Sequence, residues 1–181
     1  MERVGKRDEQ HDPHMRNRKG SRGITLVELL FGLAIVATLT GLALPSMRSA
    51  LRAAAVRTAT LDLVAGLQQT RASSIAAARP GVLCLSDMSG ICLGNGGTSG
   101  AWRAFLESDG RQLPLAASAL PAGVLLKSSR SRLAFWPDSL SASTATLTIC
   151  DSLGIARPRV IVMSQGGRLR LAESGEATCG A

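Results

Sequence analysis

An α+β protein is predicted: one long N-terminal helix, transmembrane and then amphipathic, packed on an antiparallel β-sheet C-terminal domain. Three observations predict it. Residues from Ile24 to Leu44 are nearly all apolar. A steady four-three spacing follows, from Met47 to Ile75. From Val82 onward, short β-branched or alternating runs are separated by turn residues. The chain has 181 residues, one domain's worth with an appendage. Its 45% hydrophobic and 19% charged residues exclude a wholly disordered or collagen-like chain. Aromatics are 3%, without tyrosine, so a base-stacking nucleic-acid reader is disfavoured. The two histidines, His11 and His14, stand near the N-terminus, which excludes a histidine-based catalytic or metal site elsewhere.

Residues 1–23 are polar and basic: Arg3, Lys6, Arg7, Arg16, Arg18, Lys19 and Arg22 against Glu2, Asp8, Glu9 and Asp12. The apolar run that follows is long enough, at roughly 32 Å as a helix, to cross a bilayer core. Basic residues before it keep its N-terminal end cytoplasmic. A secretory signal peptide has a shorter apolar core, and Leu44-Pro45 is a poor cleavage exit. A plain anchor fits the length but leaves Glu28 unexplained. A carboxylate in hydrocarbon costs about 2.5–3.5 kcal/mol, so it needs a partner or must snorkel to the interface.

Pro45 lacks an N–H and should kink or locally open the helix. Beyond it, Met47, Leu51, Ala54, Thr58, Leu61, Ala65, Gln68, Ala72 and Ile75 define the stripe expected to pack on the C-terminal domain. Arg79-Pro80-Gly81 stops the helix. Strands are expected near Val82–Leu85, Trp102–Glu107, Val124–Lys127, Leu133–Phe135, Ala145–Cys150, Val160–Ser164 and Arg168–Ala172. Asp109-Gly110 and Gln165-Gly166-Gly167 read as turns. Gly94 to Gly100 reads as a flexible loop, without the Gly-Lys-Ser/Thr ending of a phosphate-binding loop. The domain boundaries are 1–23, 24–79 with the kink at Pro45, and 80–181.

Four cysteines allow three pairings, and spacing does not choose among them. The favoured arrangement is Cys84–Cys92 as a local clasp and Cys150–Cys179 as a pin on the C-terminal tail. Loop-entropy arithmetic gives them roughly 2.5 and 3.5 kcal/mol. Paired C-x-x-C knuckles are absent, so a structural zinc site is not expected. Carboxylates are scattered through turns and loops, and no nucleophile–base pair stands out. No cofactor, metal or enzymatic activity is expected.

The string Lys19-Gly20-Ser21-Arg22-Gly23-Ile24-Thr25-Leu26-Val27-Glu28-Leu29-Leu30 resembles the type III signal of type IV pilins and type II secretion pseudopilins. That pattern is a basic leader ending in Gly, then an apolar helix with Glu at its fifth residue. The resemblance implies cleavage after Gly23 by a prepilin peptidase and N-methylation of Ile24, where the family usually has Phe or Met. Cleavage would create an amine at Ile24, and Glu28 of one chain could neutralise the amine of its neighbour in a stack of subunits. The resemblance places the protein in the inner membrane of a Gram-negative bacterium, single-pass with a periplasmic head, and then in a pilus or pseudopilus. It also implies other pilins or pseudopilins as partners.

After the leader, 14 Lys/Arg, 13 of them Arg, stand against nine Asp/Glu. Arg157, Arg159, Arg168 and Arg170 flank a predicted hairpin, and Arg168 and Arg170 alternate with Leu169 and Leu171. Guanidinium groups make bidentate contacts with phosphate, so this face suits a polyanion; a solvated edge strand protected by charge reads equally well. From Ile24 onward the chain is similar to the GspH/FimT group of minor pilins and pseudopilins, and Gly167-Arg168-Leu169-Arg170 matches the Gly-Arg-x-Arg motif of its FimT subfamily. The resemblance implies non-sequence-specific binding of double-stranded DNA during natural transformation. Arg157 and Arg159 join the candidate site by proximity alone. Four phosphate contacts predict a log–log salt slope of about −3.6. The alternative is a minor pseudopilin of a type II secretion system with a structural role.

Overall fold

A computed structural model describes residues 23–94, 97–138 and 140–172. The chain divides into two compact units, residues 1–41 and 42–181. A single helix, α1 (Leu26–Ala77), contains Pro45. It starts where Thr25 Oγ1 accepts the Glu28 N–H at 3.3 Å. The Thr-x-x-Glu spacing is a helix-start signature, with the acid in the first turn. α1 ends where Ala78 takes a positive φ of 49° and the Arg79 N–H reaches the Ser74 carbonyl at 3.1 Å.

Up to Gly41, every described side chain of α1 is exposed, and the helix is long and apolar enough to cross a membrane. From Val56 onward one face is buried: Val56, Ala59, Thr60, Leu63, Leu67, Thr70 and Ser74. This is not the expected stripe. Met47, Leu51, Leu61 and Ile75 of that stripe are 61, 60, 58 and 49% exposed. The buried face was hidden because it carries hydroxyls and a glycine. Thr60 and Thr70 donate back to the carbonyls of Val56 and Gly66, at 2.7 and 2.6 Å, so they enter the core with their hydroxyls satisfied. Gly66 lets the helix come close: a Cβ there would meet the Trp102 ring at 2.3 Å.

Among the described residues, ten strands form two antiparallel five-stranded sheets. They are β1 (Gly81–Ser86), β2 (Thr98–Ser99), β3 (Ala101–Ser108), β4 (Arg111–Ala119), β5 (Val124–Ser128), β6 (Arg132–Trp136), β7 (Ser141–Ala142), β8 (Ala145–Asp151), β9 (Arg159–Met163) and β10 (Leu169–Ala172). The first sheet runs β4-β3-β1-β6-β7 and the second β10-β9-β8-β5-β2. One core joins them to α1, with Leu63 and Leu67 of the helix, Leu83, Leu85, Trp102 and Leu133 of the first sheet, and Leu126, Leu147, Ile149 and Ile161 of the second.

Three strands were not anticipated. β4 carries Pro114 and a register shift opposite Ala104/Phe105, both tolerated because it is an edge strand. Its hairpin turn is Asp109-Gly110, with φ of 50° and 75°, the paired positive angles of a type I′ turn. β2 lies inside the expected flexible loop, where Thr98 and Ser99 pair with Lys127 and Leu126 of β5. β7 is too short to leave a pattern.

Cys84 and Cys92 form a disulfide with a Cα–Cα distance of 5.7 Å. Their loop is ordered by Asp87, whose Oδ1 accepts from the Ser89 hydroxyl and the N–H groups of Ser89 and Ile91. The Ser89 hydroxyl, followed by the Ile91 N–H, holds the Asp87 carboxyl below its ordinary pKa. Cys150 is also disulfide-bonded. Cys179, its expected partner, lies outside the described residues, as does the leader up to Arg22.

Candidate nucleic-acid interface

Gly167 shapes the centre of the site. Its φ of 70° is a conformation that glycine adopts without strain. Its N–H donates to the Ser164 carbonyl at 2.8 Å, and the Ser164 N–H donates to the Arg168 carbonyl at 3.1 Å. The Arg168 N–H reaches Ser164 Oγ at 3.2 Å. Two further bonds tie the turn to its surroundings. Arg71 Nη1 donates to the Gly167 carbonyl at 3.1 Å, and the Ala142 N–H donates to the Gln165 carbonyl at 2.6 Å. The turn therefore holds a fixed shape, and Gly167 itself is buried.

Beyond the turn, Leu169 packs on the core while Arg168 and Arg170 are exposed. Arg168 stands just before β10 rather than inside it. Strand register extends the outward face. Arg170 is opposite Val162, and Val162 is opposite Thr146. A second row runs Ala172, Val160, Thr148, Lys127 and Thr98. Residues directly opposite in an antiparallel ladder share a face. Among the described residues of these strands, no carboxylate stands on that face: Asp151 pairs with Val124, on the core side. No ion pair or side-chain hydrogen bond engages the Arg168 and Arg170 guanidinium groups among the described residues.

The four arginines do not form one patch. Arg159 is opposite Ile149, a core residue, so its side chain leaves the sheet on the face away from Arg170. Arg157 and Arg159 line a groove of about 550 Å³ beside Ser49, Ala50 and Ala53 of α1. Arg168 lies instead beside Leu67, Gln68 and Arg71. Ala53 and Leu67 are about 20 Å apart along the helix. Sequence proximity joined two pairs that the fold separates. It also missed Arg71 and Lys127, which only tertiary contact and register bring to the Arg168–Arg170 side.

The segment leading to Arg157 is organised by Asp151. Its carboxylate accepts the N–H groups of Leu153, Ile155 and Ala156 at 3.4, 2.9 and 3.2 Å. Arg52 Nη1 stands 3.7 Å away. Burial, the largest single influence, pushes this carboxyl up. The N–H bonds from Ala156, Leu153 and Ile155, with Arg52, outweigh it, so the group stays ionised below its ordinary range.

Residues 59–167 match the family described as Type II transport protein GspH. The chain belongs to the GspH family. Residues 18–44 match the prokaryotic N-terminal methylation motif, which spans Gly23, Ile24 and Glu28. Members of the GspH family are structural pilins and pseudopilins rather than enzymes, and the motif marks them for prepilin processing and association with other pilins. Among solved structures, the chain is similar to the type IV minor pilin FimU of Pseudomonas aeruginosa strain PAO1. A P65 crystal form gives a TM-score of 0.50 at 19% identity, covering 64% of this chain and 91% of that one. A P21 form gives 0.49 at 20%, covering 65% and 87%. The shared feature is the type IV pilin fold. No curated protein matches the chain. Ile24, just before α1, and Glu28, in its first turn, are both exposed.

Proposed function

We propose that this GspH-family protein is a minor type IV pilin that binds extracellular double-stranded DNA for uptake. A prepilin peptidase cleaves after Gly23 and Ile24 is methylated. The segment up to Leu44 anchors the protein in the inner membrane, with the head in the periplasm, until assembly. Glu28 then neutralises the terminal amine of a neighbouring subunit.

One observation carries the DNA reading. Among the described residues, the Gly167 turn and the register of β10 leave Arg168 and Arg170 exposed and unpartnered on a sheet face without carboxylates. Such a face attracts phosphate, and its groups do not read base edges, so binding is insensitive to sequence. Arg168→Gln with Arg170→Gln removes two phosphate contacts. The log–log salt slope for duplex binding should become shallower by about 1.8 units while the melting temperature stays unchanged. Unaltered slope and affinity in the double variant would remove the DNA function.

A second reading is favoured by the family's own description as a type II transport protein. There the chain is a minor pseudopilin with a structural role. Deletion distinguishes the two: loss of transformation with intact secretion supports the pilin, and the reverse supports the pseudopilin.

A further inference from the structure

We propose that the DNA site continues across the second sheet from Arg168 and Arg170 to Lys127 and Arg130, so that one head holds both backbones of a duplex across a groove. This rests on the DNA reading and gives it a ligand with two backbones rather than a single strand. Arg157 and Arg159 take no part, since they line a groove elsewhere.

Register is the first argument. Arg170 is opposite Val162, and Val162 is opposite Thr146. The row continues by one strand. The Ser129 N–H donates to the Thr146 carbonyl at 3.0 Å, and the Thr146 N–H donates to Ser129 Oγ at 3.1 Å. Ser129 is therefore fourth in the row, with Arg130 next to it and Lys127 two residues before it on the same face. Strands about 4.8 Å apart put roughly 14 Å between Arg170 and Ser129. Two grooves fill that span. Arg168 and Arg170 line one, Ser129, Arg130 and Thr146 line the other, and Val162 is common to both.

Charge is the second. Lys127, Arg130, Arg168 and Arg170 are exposed, and among the described residues none of their side chains enters an ion pair or a hydrogen bond. Val162, Thr146 and Ser129 between them are uncharged, and among the described residues no carboxylate stands on this face. Two basic ends with an uncharged lane between them fit a polyanion that carries two rows of charge. The major groove of a duplex is about 12 Å wide, so the backbones on its two sides meet the two ends. A single strand has one backbone, and to span both ends it must first be ordered straight across the sheet.

Rigidity is the third. The Gly167 turn holds one end. At the other, the buried Ser128 brackets Arg130: its Oγ accepts the Arg130 N–H at 3.2 Å, and its hydroxyl donates to the Arg130 carbonyl at 2.5 Å. Lys127 lies within β5, paired with Thr148 on one side and Thr98 on the other. The spacing between the ends is therefore set before DNA is met, and binding orders only the side-chain tips.

The full chain in detergent is titrated by fluorescence anisotropy with a short duplex, and with one of its strands alone, at several salt concentrations. Four phosphate contacts give the duplex a log–log slope of about −3.6. Lys127→Gln with Arg130→Gln should make that slope shallower by about 1.8 units, as much as Arg168→Gln with Arg170→Gln, and leave the melting temperature unchanged. Single-strand affinity should fall no more than about twofold in the Lys127/Arg130 variant, since the opposite end still holds the strand. Arg111→Gln, on the first sheet, should leave the slopes unchanged. A duplex slope that responds to the Arg168/Arg170 variant but not to the Lys127/Arg130 variant would overturn the second end and leave the DNA reading standing. Equal losses on duplex and single strand would overturn the grip on two backbones. A slope changed as much by Arg111→Gln as by Arg130→Gln alone would reduce the effect to net charge and overturn it too. Duplex binding that neither pair alters would remove the DNA reading beneath.

Discussion

Arginines on the two sheets of the head do opposite things. On the first sheet, the Arg103 guanidinium lies 5.4 Å from the Phe105 ring centre and donates to the Gly90 carbonyl at 2.7 Å. Arg132 lies 5.7 Å from the same ring and pairs with Glu107. Together they roof a small cluster of Val82, Cys84 and Phe105 on the face away from α1. On the second sheet, Arg168 and Arg170 have neither ring nor carboxylate among the described residues. The comparison shows that charge alone does not mark a binding surface. A guanidinium already engaged by a ring and an acid is structural cover, whereas one held out by a fixed turn with no partner is available to a ligand.

That contrast presumes one core holding both sheets, and Trp102 tests it most severely. Its ring fills the space that Gly66 leaves open. Trp102→Ala should cost about 3–5 kcal/mol in denaturant unfolding, as a single transition. Two separate transitions would mean that the sheets are independent, and their arginines could not be compared on one scaffold.

Asp151 sharpens the comparison from the second sheet. Asp151→Ala leaves three loop N–H groups without their acceptor and should cost about 2–4 kcal/mol. The folded carboxyl lies below its ordinary value of 3.8. Its contribution is therefore complete above that value and is lost as pH falls through the lower folded pKa. Melting followed from pH 5 down to about 2 should fall more steeply in the native protein than in the variant. Parallel curves would assign the loop's order to other groups.

The smallest effects decide the arginine contrast directly. Arg132→Gln should lower stability by about 0.5–1 kcal/mol, since its ion pair is half exposed, and should leave duplex affinity alone. Arg170→Gln should leave the melting temperature alone and make the salt slope shallower by about 0.9. An exchanged pattern between these two variants would break the comparison.

Much of the architecture was legible because it depends on local chemistry. The apolar run, Glu28 five residues past Gly23, Arg79-Pro80-Gly81 and the Asp109-Gly110 turn are each written in adjacent residues. The Cys84–Cys92 clasp spans only a short loop. What misled was pattern without depth. The alanine-rich helix offers two plausible apolar faces, and hydroxyls with Gly66 disguised the buried one. Pro114 hid β4, because its tolerance depends on the strand being at an edge.

The residues between Gly23 and Glu28, the long helix and the β-rich head were fixed by the order of side chains, since propensity, hydropathy and turn chemistry act within a few positions. Which helix face is buried, and which arginines share a surface, was decided only in the folded protein. Register assigns alternate residues of a strand to opposite faces. It therefore separates Arg159 from Arg170 despite their closeness in the chain, and it brings distant Lys127 to the same side as Arg170.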